Sequence, residues 1–185
     1  MAAREKILDD FSAWAALSAM RSGAPVKSAT EIYGLLDPAI FKQLFHPRSK
    51  PISAREFGNW HRTTTAALMQ YENLCEQAGW AAKLLNVYLK AHVYIGGAGR
   101  KGLIALIHPP VDSGLWRGVK THCKEHKDPK PILERTHVVQ RISQIQDYET
   151  YLIIIEGLRM VAAELGCPLI EVEQLWDRGR TKLKG

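Results

Sequence analysis

The sequence predicts an all-α fold, an irregular multi-helix bundle of roughly eight helices, some of them short. Apolar residues recur at intervals of three and four along most of the chain, which is the spacing of amphipathic helices. The segments that show this spacing begin at helix-capping residues and end at glycine or proline. The chain has 185 residues, 46% of them hydrophobic and 24% charged, as in an ordinary globular domain. We predict a single helical domain over residues 1–177 and a basic C-terminal tail over residues 178–185.

The first helix is predicted between Ala3 and Met20. Its apolar side chains follow the i, i+3, i+4, i+7 spacing of one helix face, and they are Ile7, Leu8, Phe11, Trp14, Ala15 and Leu17. We expect this face to pack against the rest of the domain.

Capping residues predict three more helix starts before residue 78. A serine followed three residues later by glutamate forms a capping box, and this pattern occurs at Ser28 and at Ser53. An aspartate followed by proline begins a short helix over residues 37–45. The helix that starts after Ser53 is expected to run to about Ala78, where Gly79 ends or kinks it.

The central part of the chain combines one helix with glycine-rich and proline-rich turns. The helix is predicted over residues 80–95, and its polar stripe comprises Lys83, Asn86 and Lys90. The glycines of residues 96–99 form a turn. The apolar segment 103–107 is ambiguous between strand and helix, and the two prolines at 109–110 end it.

The last third of the chain contains the most strongly periodic helix. Asp112 or Ser113 caps a helix that runs to about residue 125, and residues 132–144 are also predicted to be helical. Asp147 begins a long apolar helix that Gly166 ends, and we expect this helix to lie at the centre of the bundle. Pro168 begins the last helix, which extends through residue 176.

Composition and cysteine usage indicate a cytoplasmic protein. The three cysteines are odd in number and widely spaced, unlike a disulfide framework. The N-terminal residues are charged and do not resemble a secretory signal, and the longest apolar run is too short to span a bilayer. We therefore expect no membrane contact, and the sequence predicts no cofactor.

The net charge of +6 is concentrated in one stretch of the chain. Residues 83–130 contain nine Lys or Arg against three acids, whereas residues 145–177 contain seven acids and one arginine. A concentrated positive surface attracts polyanions, and Arg117, Lys120 and Lys124 share one face of the helix after Asp112. The cations expected to contact phosphates or an acidic partner are Arg100, Lys101, Arg117, Lys120 and Lys124, with Trp116, Tyr88 and Tyr94 as stacking surfaces for bases.

Two other interpretations of the charge stay open. The cations can simply solvate the outer faces of the helices. Alternatively, the basic stretch can pack beside the acidic residues 145–177, either within the fold or between two copies in a homodimer.

The pair Arg117 and His122 offers an enzymatic alternative. Its spacing, Arg-x4-His, resembles the Arg-x4–6-His signature of HEPN-type ribonucleases, which are all-helical. The resemblance implies that Arg117 stabilises the phosphate and that His122 acts as acid or base. The signature is short, and Arg55 with His61 matches it as well. His122 and His126 lie one turn apart, but further ligands at a regular zinc spacing are missing, so no metal site is predicted.

Residues 79–113 carry a second resemblance. Lys83, Asn86 and Lys90 form a Lys-x2-Asn-x3-Lys pattern, and the turn from His108 to Asp112 follows it. This pairing resembles one in uncharacterised bacterial helical proteins with a His-x-Pro-Ile-Asp turn, for which no activity is implied; here valine replaces the isoleucine. We expect Lys83 or Lys90 to pair with Asp112 and Asn86 to hydrogen-bond the proline turn. The alternative is a polar pocket that binds a ligand.

These observations rank three hypotheses. The first is a non-enzymatic helical module that binds nucleic acid or an acidic protein partner through residues 83–130. The second is a HEPN-like, metal-independent ribonuclease, and the third is a helical protein that associates with itself. The sequence alone leaves open whether the protein is an enzyme.

Overall fold

The computed structural model describes residues 3–20, 23–45, 50–125 and 128–177, and these residues form eight α-helices and no strand. The helices are α1 (Ala3–Ala19), α2 (Ala29–Leu35), α3 (Pro38–Phe45), α4 (Ala54–Leu68), α5 (Ala78–Leu89), α6 (Ser113–His122), α7 (Lys130–Thr136) and α8 (Tyr148–Leu165). A π-helical segment, Lys90–Ile95, extends α5, and 3₁₀ helices cover Glu72–Leu74, Leu103–Ala105, Cys123–Glu125, Ile142–Gln144 and Leu169–Leu175. The all-α prediction is confirmed. Within the described ranges, every helix is too short or too polar to cross a membrane.

The predicted helix starts are where the capping residues place them. The hydroxyls of Ser28 and Ser53 accept hydrogen bonds from the amides three residues on, at 3.4 and 3.1 Å. The carboxylate of Asp112 accepts from two amides at the start of α6, and that of Asp147 accepts from Thr150. These bonds satisfy amides that have no partner inside the helix.

The predicted boundary at Gly79 is wrong. Helix α4 already ends at Leu68, and the connection contains a 3₁₀ turn and a positive φ of 53° at Glu76, which interrupts an α-helix. Gly79 instead lies in the first turn of α5, where its amide donates to the Ile145 carbonyl at 2.9 Å. A β-carbon at Gly79 would overlap Ile142 and Ile145, so the glycine permits close packing and does not end a helix.

Helix α5, and not α8, occupies the centre of the fold. All twelve residues of α5 are buried. Its side chains join two apolar clusters, one formed mainly with α1 to α4 and the other with α6, α7, α8 and the 3₁₀ helix Leu169–Leu175. Residues predicted as one helix over 132–144 divide into α7 and a 3₁₀ turn. The last predicted helix is a 3₁₀ helix.

Helix α1 covers only part of its predicted apolar face: Ala15 and Leu17 pack partly against the core, whereas the side chains that it buries fully lie elsewhere on the helix. Its buried residues, Ser12 and Ala16, are small, and they allow α1 to pack closely on α5. Three of its largest apolar side chains point to solvent, with exposed fractions of 69% for Ile7, 46% for Phe11 and 55% for Trp14.

Candidate functional site

The structure separates the cations of residues 83–130 into internal and exposed groups. Lys83 pairs with Asp112 at 3.5 Å, Lys90 with Glu173 at 2.6 Å and Arg100 with Glu56 at 2.5 Å. Lys127 lies outside the described residues, and Lys130 forms a long surface pair with Glu134. Among the described residues of the stretch, the remaining exposed cations are Lys101, Arg117, Lys120 and Lys124.

The expectation that Arg100 contacts a phosphate is wrong. Its side chain is buried, and its guanidinium donates to the Glu56 carboxylate and to the carbonyls of Gln43, Lys50 and Pro51. Arg100 therefore ties the glycine-rich loop to the start of α4. The adjacent Lys101 is exposed, but its carbonyl accepts from Ile52 in the N-terminal cluster, away from the packing surface of α6.

Helix α6 and the 3₁₀ turn after it carry the other three exposed cations. Arg117 and Lys120 lie on the outer face of α6, and Lys124 lies in the turn Cys123–Glu125. The inner face of α6 is fixed by two glycines, because a β-carbon at Gly114 or Gly118 would overlap Trp176 or Leu175. We call Arg117, Lys120 and Lys124 the α6 basic ridge; by helical geometry it is about 10 Å long.

The three cations of the α6 basic ridge differ in their partners. Neither Lys120 nor Lys124 forms an ion pair with a residue in the described ranges, and Arg117 donates to the backbone carbonyl of Asp177 at 2.9 Å. The pKa of His137 is lowered by burial and, secondarily, by the positive charge of Lys120. An anion that approached this face would meet three exposed cations, with the exposed Glu125 directly after Lys124.

The aromatic groups expected to stack on bases are largely engaged within the protein. Trp116 is buried and donates to the Thr136 carbonyl at 2.5 Å. Tyr88 is buried and donates to Asp9. Tyr94 is 40% exposed, but its hydroxyl donates to Glu171 at 3.1 Å. The α6 basic ridge therefore lacks these stacking surfaces.

Arg117 and His122 do not face each other. Both lie on α6, where five residues correspond to about 140° around the helix axis. Arg117 reaches the Asp177 carbonyl, whereas the His122 ring lies 3.7 Å from the Glu164 carboxylate of α8. A joint action on one phosphate would require a rearrangement of α6.

The strongest polar feature of the interior is a hydrogen-bonded network that the sequence predicted only in part. We call it the buried polar network, and it comprises His61, Asn86, His108, Tyr148 and Tyr151. His61 bonds Tyr148 at 2.8 Å and Asn86 at 3.0 Å, and Tyr151 bonds Asn86 at 2.9 Å and His108 at 2.8 Å. The network thus connects α4, α5, α8 and the turn before α6.

The partners of Asn86 fix the donors and acceptors around His61. The Asn86 amide nitrogen donates to the Pro109 carbonyl at 3.4 Å and to Tyr151, so its oxygen accepts from Nε2–H of His61. The other His61 nitrogen, Nδ1, then accepts from the Tyr148 hydroxyl. The Tyr151 hydroxyl lies 2.8 Å from Nδ1 of His108, and it can donate to this nitrogen when the ring carries its proton on Nε2; the Arg159 guanidinium lies 3.5 Å from that Nε2.

Both histidines are neutral at physiological pH. Burial lowers the pKa of His61 to about 4, although the bond to Asn86 acts in the opposite direction. Burial also lowers the pKa of His108 well below its usual value, with further contributions from His61 and Arg159. Every polar side-chain atom of the network has a partner, which is the pattern of a structural network.

The three polar residues of the Lys-x2-Asn-x3-Lys pattern each meet a different element. Lys83 pairs with Asp112 at the start of α6, Asn86 bonds the proline turn, and Lys90 pairs with Glu173 of the 3₁₀ helix Leu169–Leu175. Asp112 also accepts from the Trp176 indole at 2.8 Å. The predicted polar cluster therefore contains the expected contacts but divides into three separate places along α5.

His61, Tyr148 and Tyr151 were not identified as members of the network from the sequence. His61 follows the buried Phe57 and Trp60 on α4, and the two tyrosines are three residues apart at the start of α8. A histidine on an apolar helix face opposite paired tyrosines is the signal that could have indicated them.

Comparison of the chain with family models, curated proteins and solved structures finds no match. Any functional conclusion therefore depends on the geometry of the chain itself. Within the described ranges, no three His, Cys, Asp or Glu side chains are grouped so as to hold a metal ion, and His126 lies outside those ranges.

Proposed function

We propose that the chain is a non-enzymatic binding module that contacts nucleic acid through the phosphate backbone. The supporting observation is the α6 basic ridge, whose three cations are exposed on one side of the fold. Phosphate contacts position a protein on nucleic acid without reading its sequence. Since the expected aromatic groups are engaged elsewhere, the proposal involves neither base stacking nor sequence recognition.

The ridge is rigidly presented, which favours binding. Helix α6 is anchored at its start by the Asp112 cap and along its inner face by the two glycines packed on Leu175 and Trp176. Its cations therefore share a fixed backbone, and only their flexible side chains must be ordered when a phosphate binds. The ribonuclease alternative has no comparable support, because the Arg117 and His122 side chains point to different neighbours.

The experiment is a salt titration of binding to a labelled 20-base-pair DNA duplex, measured by fluorescence anisotropy. Three phosphate contacts predict a slope of about −2.7 in log K against log salt, which lowers affinity about 40-fold between 50 and 200 mM salt. The variant Arg117→Gln/Lys120→Gln/Lys124→Gln should lose this salt-dependent binding.

A matched control changes three exposed cations elsewhere, Lys27→Gln/Lys42→Gln/Arg55→Gln. It lowers the net charge by the same amount and should retain most of the binding. The proposal is overturned if both triple variants bind equally, or if the wild-type protein binds the duplex without salt dependence or not at all. Binding to an acidic peptide but not to the duplex would instead favour an acidic protein partner.

A further inference from the structure

Helix α1 has a second apolar face that the fold leaves uncovered. Ile7, Phe11 and Trp14 occupy spacings of four and three residues, so they form one row along the helix. They point away from the core-facing Ser12 and Ala16 by roughly 150° around the helix axis. The rings of Phe11 and Trp14 touch, with centroids 5.8 Å apart.

Solvation does not explain this row. Exposed apolar side chains are ordinary when they are scattered singly, whereas a contiguous row that contains two aromatic groups marks an interaction surface. The three side chains together expose roughly 300 Å². Their spacing is that of a seam between two packed helices.

The charges beside the row favour a second copy of this chain over a membrane or a strongly charged partner. In the described part of α1, two cations, Arg4 and Lys6, accompany three acids, so the helix does not carry the excess of cations typical of a membrane-surface helix. Lys6 and Asp10 lie on one flank of the row and pair within the copy at 2.6 Å. Both signs of charge are therefore available for a symmetric partner.

We propose that two copies of the chain associate through α1 in an antiparallel, two-fold symmetric pair. If the two-fold axis passes at the level of Asp9, Ile7 of each copy lies opposite Phe11 of the other, and Arg4 lies opposite Trp14. Isologous contacts of this kind occur twice. The Arg4 guanidinium can then stack on the partner's indole, a favourable cation–aromatic geometry.

The same register places the flanking charges in complementary positions. Lys6 of one copy lies about 3 Å along the axis from the level of Asp10 of the other. Each lysine thus lies beside an aspartate of the other copy, while the two Asp10 side chains are about 3 Å apart along the axis, so two attractive contacts flank one repulsive contact. A stable interface commonly covers about 800 Å² on each partner, so the seam would form the core of a small interface and a weak, concentration-dependent dimer.

The pair is tested by sedimentation equilibrium of the full chain from about 5 to 500 μM. The wild type should shift from monomer to dimer over this range, and the dimer should persist at 1 M NaCl because apolar burial is not screened. The variant Phe11→Glu should weaken the dimer about 100-fold or more. Ile104→Glu, at a side chain that is 42% exposed on another element, should leave dimerisation unchanged.

A charge exchange tests the register. Lys6→Asp alone should weaken the dimer several-fold, and Lys6→Asp/Asp10→Lys should restore it, because the exchanged pair reproduces the same contacts between copies. Thermal unfolding of the dilute monomers controls for folding, since Phe11 is 46% exposed and is not one of the buried residues of the core cluster.

A chain that stays monomeric to 500 μM overturns the proposal. So does a dimer that tolerates Phe11→Glu, or one that dissociates in high salt as a contact between basic and acidic stretches would. The inference does not depend on the proposed function: the α6 basic ridge lies on a different helix, and duplex binding should survive Phe11→Glu.

Discussion

Acidification should destabilise the protein through one buried histidine. His61 has a pKa of about 4 in the folded chain and an ordinary value of 6.5 when exposed. The folded-state pKa is the lower of the two, so the unfolded chain takes up the proton first as the pH falls. The stabilising contribution of neutral His61 is complete above pH 6.5 and is lost as the pH falls toward 4. A difference of 2.5 pH units corresponds to about 3 kcal/mol in the free energy of unfolding.

The measurement is urea unfolding of the wild type and of His61→Gln at intervals between pH 7 and pH 4. Glutamine can donate to Asn86 and accept from Tyr148 but does not titrate in this range. The other titratable groups are common to both chains, so the difference between the two pH profiles reports His61 together with its effect on the pKa of His108. The wild type should lose about 3 kcal/mol more than the variant. If the free energies of unfolding of the two proteins fell in parallel with pH, the conclusion that His61 is buried as a neutral ring would be refuted.

An independent readout avoids reliance on a stable variant. The NMR resonances of the His61 ring should show no titration between pH 7 and pH 5 in the folded wild type. A midpoint near 6.5 would contradict the neutral, hydrogen-bonded state described above.

Three further substitutions test how the interior is held together, each by chemical denaturation at pH 7. Asn86→Leu should destabilise the fold by about 3 kcal/mol or more, because three buried partners of the amide lose their hydrogen bond; a loss below 1 kcal/mol would contradict this. Asp112→Ala should cost at least about 1 kcal/mol more than Asp112→Asn, since asparagine can still cap α6, and equal losses would exclude the cap as the main contribution. Gly118→Ala should destabilise by about 1–3 kcal/mol by overlapping Leu175. The control Gly58→Ala, in open space on α4, should instead stabilise the fold by about 0.5–1 kcal/mol. If Gly118→Ala and Gly58→Ala changed the free energy of unfolding in the same direction, the packing described here would be contradicted.

Local features of the fold were predictable because local chemistry determines them. The starts at Ser28, Ser53, Asp112 and Asp147 depend on a side-chain oxygen that reaches an amide two or three residues away. Gly166 ends α8 in the left-handed conformation, with a φ of 63°. None of these contacts requires knowledge of the tertiary structure.

Features that depend on distant contacts were not predictable in the same way. Gly79 predicts a helix end from the sequence, but in the structure it allows α5 to pack closely against Ile142 and Ile145. Helix α1 has apolar residues on two faces, and periodicity alone cannot tell which face meets the core. The face that contains Ser12 and Ala16 packs on the wholly buried α5, because small side chains allow the two helices to approach closely.

In the candidate sites, too, local contacts were predictable from the sequence and distant contacts were not. The contact of Asn86 with the proline turn and the pairing of Asp112 with a lysine of α5 followed from complementary polar groups in one segment of sequence. The sequence left open whether Lys83 or Lys90 forms this pair. The burial of Arg100 against Glu56 joins residues 44 positions apart, and no local pattern indicates it. Charge counting along the sequence therefore included a cation that the fold neutralises internally.

The polar residues of α5 explain why the basic stretch of the sequence is not one basic surface. A buried helix can carry charged groups only where each finds a partner, and Lys83 and Lys90 find Asp112 and Glu173 on two elements that follow α5 in the chain. These pairs fix how α6 and the 3₁₀ helix Leu169–Leu175 lie against α5. Two of the cations in the basic stretch therefore orient α6, the helix that carries the exposed cations. Substitution of Lys83 or Lys90 should therefore alter folding and binding together. Substitution of Lys120 or Lys124, which lie outside these pairs, should alter binding alone.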